Sequence, residues 1–338
     1  MKALGLGLYN ARTIGLILMA MVAFLAAGRL TTDGRDSSPC SFTGTPAAQA
    51  QCLLRPVAKY GEAGQQLGAL PSPLDHLIGQ PTEQTTNKDL LRKYLVVHQI
   101  KEQDIGGSLS DPVSRTSDGK LATYFIIHDT SDPTLERTDS FPPENMDAAT
   151  WPGNNLSRYL KGSPVAHVFI NRLGESVTGH DFKIAWRSTK YESKADQRKG
   201  LFLAVESVQP RRKDSKGIDS EAPMPGFSDP QLDRLALVYV AASVRRGQWL
   251  IPAFHAVIDL GVGTHDDPQN FDLSHWAERL NLLLQSIQSR PYLGVCEQVG
   301  FLAALLIVAS SASNSRTQPP NYGKYSRSKT TESKIWNR

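Results

Sequence analysis

The chain has 338 residues, a formal net charge of +4 and 40% hydrophobic residues, enough for one sizeable core with extensions around it. The mild positive charge favours anionic surfaces without pointing to nucleic acid, and the sequence has neither a basic helix interleaved with aromatics nor a glycine-rich phosphate loop. Its three cysteines, Cys40, Cys52 and Cys296, form no C-x-x-C pair, which speaks against a thiolate metal site.

Residues 1–30 read as a signal peptide or membrane anchor. Lys2 and Arg12 flank the start of an uncharged apolar stretch from Thr13 to Gly28, and Ala26-Ala27-Gly28 offers small residues for cleavage. The stretch is short for a spanning helix, and whether it is removed stays open. Export would let Cys40 and Cys52 pair; two free thiols are the alternative. Residues 31–85, rich in Gly, Pro, Ser, Thr, Ala and Gln, read as a linker with one short helix over Ala47–Tyr60.

Residues 86–290 carry the periodic elements. Asn87–Gln99 has Leu90, Leu91, Leu95 and Val96 or Val97 near helical spacing; His98 within it is a surface or packing residue. Ala122–His128 is a strand in which four apolar or aromatic residues run into His128. Asp129–Asn155 is a long polar loop of the kind that lines or covers a site. Val165–Asn171 is a second strand, followed by a turn at Arg172–Glu175 and a return strand at Ser176-Val177. Leu201–Val208 is a third strand whose embedded carboxylate, Glu206, needs a polar cleft or solvent, because burying an unpaired charge is costly. Gln209–Phe227 reads as a loop. Ser228 caps a helix running to Arg246, with Asp229 and Gln231 in its first turn and Gly247 as its stop. Pro252–Asp259 carries His255, and Asp272–Ser289 is a second amphipathic helix. In 291–338, the apolar run Val299–Ala309 reads as a helix, with a membrane segment over Leu293–Ala312 as the alternative; Asn314–Arg338 reads as a disordered basic tail.

His128, His255 and the pair Asp266-Asp267 are the chemistry-bearing residues of this pattern. Two histidines and one aspartate form a ligand set that leaves a zinc ion an open position, as hydrolysis requires. A single histidine at a strand end is usually a packing residue, so the set rests on the order of the segments around it. His180 and His275 read as structural. The basic loops around Lys183–Lys199 and Arg211–Lys216 read as solvated faces, the alternative being contacts to peptide-stem carboxylates or anionic wall polymers.

Taken together, the segments resemble the zinc amidase family of bacterial N-acetylmuramoyl-L-alanine amidases, phage lysozyme-like amidases and animal peptidoglycan recognition proteins. FIIHDTSDP is similar to the strand usually written "IHHT", AHVFINRLGES to "HFLI-x-x-DG", AWRS to "AWH" and LFLAVES to "IGIEL". DPQLDRLALVYVAASV is similar to the helix before the second ligand, FHAVID to the "GH" segment and THDDPQNFDL to "KTDPGPNFDW". The pieces occur in the family's order and span about residues 90–288.

The resemblance implies an α/β fold with a central mixed sheet of five or six strands flanked by helices, and ligands gathered at one end of the sheet. It assigns His128, His255 and Asp267 to Zn2+, Glu206 to the attacking water, His265 to the tetrahedral intermediate, and His167 to the wall or surroundings of the site. A protonated His265 would lose its charge with rising pH, where the family often has a lysine. Asp129 stands where the family has a second histidine, Gln269 where it has a glycine, and the gap from His255 to Asp267 is long; His265 and Asp266 remain rival third ligands. The implied reaction is hydrolysis of the N-acetylmuramoyl-L-alanine amide of peptidoglycan, the alternative being a recognition domain that binds muropeptides without cutting. The expected setting is the periplasm or cell envelope, as a monomer, with membrane association through the N-terminal segment and no nucleic-acid partner.

Overall fold

The computed structural model describes residues 37–58, 62–139, 143–214 and 219–289. The segment read as a signal peptide or membrane anchor, the apolar run after residue 291 and the basic tail lie outside them. Among the described residues, no helix is long and apolar enough to cross a membrane.

In chain order the strands are β1 (Tyr124–Asp129), β2 (Thr134–Leu135), β3 (Val168–Ile170), β4 (Ser176–Thr178), β5 (Phe202–Ser207), β6 (Arg211–Lys213), β7 (Asp219–Glu221) and β8 (Ile251–Phe254). A five-stranded sheet is ordered β4-β3-β5-β1-β8. All its neighbours are parallel except β4, the return arm of the hairpin read at Arg172–Glu175. β1 and β5 are buried at every position, as expected of parallel strands covered on both faces.

The helices used below are α1 (Pro46–Leu53), α2 (Lys88–Val97), α3 (Asp229–Arg246), α4 (His255–Ile258) and α5 (Leu273–Gln288). Successive strand residues point to opposite faces, and β1 shows what covers each. The Tyr124 hydroxyl donates to Gln49 of α1 at 2.6 Å, whereas the Phe125 ring meets Tyr239 of α3 with centroids 5.2 Å apart. Helices therefore flank both faces of a mixed sheet. α3 forms as its sequence dictates: Ser228 Oγ accepts the Gln231 N–H, Pro230 sits in the first turn, and Gly247 closes the helix at φ 76°, a backbone conformation that favours glycine. Asn87 caps α2 and Asp272 caps α5. On α2, Leu91 and Leu95 are buried, but Val96 and Val97 face outward, 77% and 56% exposed.

The linker reading fails for residues 37–58 and 62–85. Cys40 and Cys52 are disulfide-bonded. Leu53, Leu54, Leu74 and Leu77 belong to the core, and Gly79 donates its N–H to Trp249 O at 3.0 Å. The helix expected over Ala47–Tyr60 is the shorter α1, capped by Thr45. Its apolar residues are spread thinly among Ala and Gln, so composition hid a segment whose few leucines all go inward. The stretch read as a loop at Gln209–Phe227 contains β6 and β7, which join β2 in a three-stranded sheet.

Candidate metal centre

Sheet register brings the first residues together. His128 lies opposite Glu206 across β1 and β5. On the other side, Ile127 pairs with Phe254, so the next residue, His255, opens α4 beside His128, with ring centroids 4.2 Å apart. Asp267 arrives from a loop, held by its carbonyl, which accepts the Ala256 N–H at 2.9 Å.

His128 Nδ1 is 3.3 Å from Asp267 Oδ2, and His255 Nδ1 is 3.0 Å from both Asp267 oxygens. Donors bonded at about 2.0–2.2 Å in a tetrahedron lie roughly 3.3–3.6 Å apart; the His128–Asp267 spacing meets that range, and the 3.0 Å His255–Asp267 contacts, which are of hydrogen-bond length, need only a small outward shift to admit a small divalent cation. All three side chains are buried. His128 Nε2 and Glu206 Oε2 are also buried and have no hydrogen-bond partner among the described residues, a cost that a ligand or water beside each atom would relieve.

The electrostatics are strongly polarised. Burial, helped by His255, pushes His128 down to about 4. Burial works against a charge on His255 too, but Asp267 and Asp259 outweigh it and raise that ring to about 10. Burial likewise opposes charge on Asp267, yet His255 and His128 hold it well below the usual carboxylate range. Glu206 goes the other way: burial, then the charges of Asp267 and Asp129, raise it well above its ordinary value. Two carboxylates on one cation-sized site thus have opposite proton affinities.

The departures at positions 129 and 269 form one support. Arg211 Nη2 donates to Asp129 Oδ2 at 2.7 Å, and both side chains are wholly buried. The same nitrogen reaches Asp266 O at 3.2 Å, and Asp129 Oδ2 accepts the Gln269 N–H at 3.2 Å. Gln269 Oε1 accepts the Ala222 N–H at 3.1 Å, and its Nε2 donates to Asp266 Oδ2 at 2.7 Å. The end of β1 therefore grips both sides of Asp267 through main-chain contacts.

Of the rival ligands, Asp266 turns to Gln269 and Arg211 and stays outside the cluster. His265 lies against His255 with the rings tilted by 36° and centroids 3.9 Å apart. Its Nδ1 is 4.0 Å from Asp267 and its Nε2 3.3 Å from Asp259, so it joins a second cation-capable grouping, His255–Asp259–His265. Burial and His255 push the His265 pKa down, which favours the neutral ring. His167 is no wall of the site: fully buried, it accepts the Ala204 N–H on Nδ1 and donates through Nε2 to Ile184 O at 3.1 Å. His275 pairs with Asp229 on the surface, and His180 stacks on Trp186.

A cleft of about 330 Å³ opens beside the cluster, lined by His255, His265, Trp186, Arg187, Lys190 and neighbouring residues. The loop read as a solvated basic face thus forms its lip. Sequence reasoning missed Asp259 and the Asp129–Arg211 pair. Asp259 had a local signal, its place four residues after His255; the pair spans 82 positions and had none.

No family model matches the chain, and no curated protein matches it. Among solved structures, the Ph2119 endolysin from Thermus scotoductus MAT2119 bacteriophage Ph2119 matches at 15% identity, covering 48% of this chain and 86% of that chain, with a TM-score of 0.27. A likeness that slight carries no inference here.

Proposed function

We propose that the chain is an exported zinc-dependent amidase that cleaves the N-acetylmuramoyl-L-alanine bond of peptidoglycan. The observation that carries this reading is the convergence of His128 Nδ1 and His255 Nδ1 on the Asp267 carboxylate, at 3.3 and 3.0 Å, with Glu206 3.8 Å from His128. The order of the sequence segments supports the substrate, and the Cys40–Cys52 disulfide supports an oxidising compartment.

Zinc held there supplies a Lewis acid that acidifies water and polarises an amide carbonyl. Glu206 accepts a proton from the attacking water and delivers it to the leaving alanine nitrogen, so a C–O bond forms as the C–N bond breaks. Its raised proton affinity, lowered when a cation sits beside it, suits both halves of that transfer. His265 donates an N–H toward the oxygen on which negative charge develops, as a neutral ring. Arg187 and Lys190 on the lip attract the carboxylates of the peptide stem. A burial-raised carboxylate beside the ligand set favours chemistry over mere recognition.

The test is digestion of purified peptidoglycan with labelling of new amino termini. Released stems should begin with L-alanine, release should stop on chelation, and zinc should restore it. Zinc-loaded protein that frees no new amino termini would contradict the reading.

A further inference from the structure

His255 is contested by two carboxylates. Nδ1 lies 3.0 Å from Asp267, while Nε2 lies 3.2 Å from Asp259 Oδ2. His255 belongs to two cation-capable groupings, His128–His255–Asp267 and His255–Asp259–His265, and turns Nδ1 to the carboxylate of the first and Nε2 to that of the second. A neutral imidazole has one free lone pair, so only one grouping can use His255 at a time.

Asp259 is already engaged in a way that decides between them. It is wholly buried. Its Oδ2 accepts the Lys190 N–H at 2.9 Å and its Oδ1 the Tyr191 N–H at 2.8 Å. A carboxylate with a main-chain donor on each oxygen is a fixed acceptor aimed at Nε2. Resting on the proposed metal reading, we infer that Asp259 is a positioning residue: it takes the Nε2–H of His255, fixes that tautomer, and so presents Nδ1 to the His128–Asp267 side. Partners of this kind orient metal-bound histidines generally. The same carboxylate ties the cleft lip to the centre. Lys190, whose backbone it holds, packs against Gly263, where an added Cβ would fall 2.4 Å from Lys190 Cδ.

The experiment uses the full chain and zinc. ¹⁵N spectra of the zinc-loaded wild type should show His255 protonated on Nε2, and competition with a chelator should show Asp259→Asn weakened about 10–100-fold, with His265→Ala close to wild type. His255 protonated on Nδ1, wild-type affinity in Asp259→Asn, or a loss in His265→Ala as large as in Asp267→Ala would each overturn the inference. The tautomer measurement needs no variant to fold. A wild type that binds no zinc would instead bring down the metal reading itself.

Discussion

His128 and Glu206 face each other across two parallel strands, paired in register and 3.8 Å apart at Nδ1 and Oε1. The pairing puts a metal-type ligand and a proton acceptor on the same face of the sheet, fixed by backbone hydrogen bonds on both sides. Glu206→Gln keeps the shape and removes the proton acceptor. Turnover should fall about 10²–10⁴-fold, with zinc content and thermal midpoint near wild type; retained turnover would exclude Glu206 as the base.

The Asp129–Arg211 pair should behave as a buried ion pair that supports the Asp267 loop. Arg211→Met leaves Asp129 buried without its cation and should cost about 3–5 kcal/mol in urea unfolding. The double change Asp129→Leu with Arg211→Met should cost less than the sum of the two single changes. Zinc affinity should fall in both, because the Asp129 contact to Gln269 N is weakened or lost.

Acid should destabilise the protein through His167. Its folded pKa is pushed by burial from 6.5 to about 4, so between those values the unfolded chain binds the extra proton. Stability is then present above about pH 6.5 and falls as pH drops toward 4, by up to roughly 3 kcal/mol for this residue. Urea unfolding across that range should show the slope, and His167→Gln should reduce it by this residue's share, leaving the part that comes from His128, which burial also holds at about 4.

Zinc uptake should release a proton. In the metal-free protein His255 stays protonated up to about pH 10, held by Asp267 and Asp259 against the cost of burial. A cation must displace that proton from the Nδ1 side, so affinity should rise about tenfold per pH unit below that value. Calorimetry in buffers of different ionisation enthalpy should report the release; buffer-independent heats would contradict it.

Reduction of Cys40–Cys52, which spans 12 positions, should cost about 2–4 kcal/mol. The effect should reach the cleft, because Phe42 in that segment stacks on Tyr191 at 4.4 Å and the Tyr191 N–H is one of the donors on Asp259.

What could be read in advance follows the range of the forces involved. The ends of α3 are set by Ser228 and Gly247, local chemistry legible in a few residues. β1 and β5 announced themselves as apolar runs, and their polar exceptions, His128 and Glu206, are the site. The packing of residues 37–58 and 62–85 was not legible: it depends on a disulfide and on a few leucines meeting a sheet built later in the chain. Nor was Arg211 legible as a core residue, since its burial makes sense only beside Asp129, 82 positions away. The protonation of His265 was left open by the sequence, because it depends on burial and on neighbours, His255 first among them, that folding brings against it.

The most direct measurement is zinc content after equilibrium dialysis of the wild type beside His128→Ala, His255→Ala and Asp267→Ala, with the surface variant His275→Ala as control. About one zinc per chain is expected in the wild type and the control, with marked loss in each of the other three. Equal zinc in all five proteins, or none in any, would contradict a cation held by these side chains.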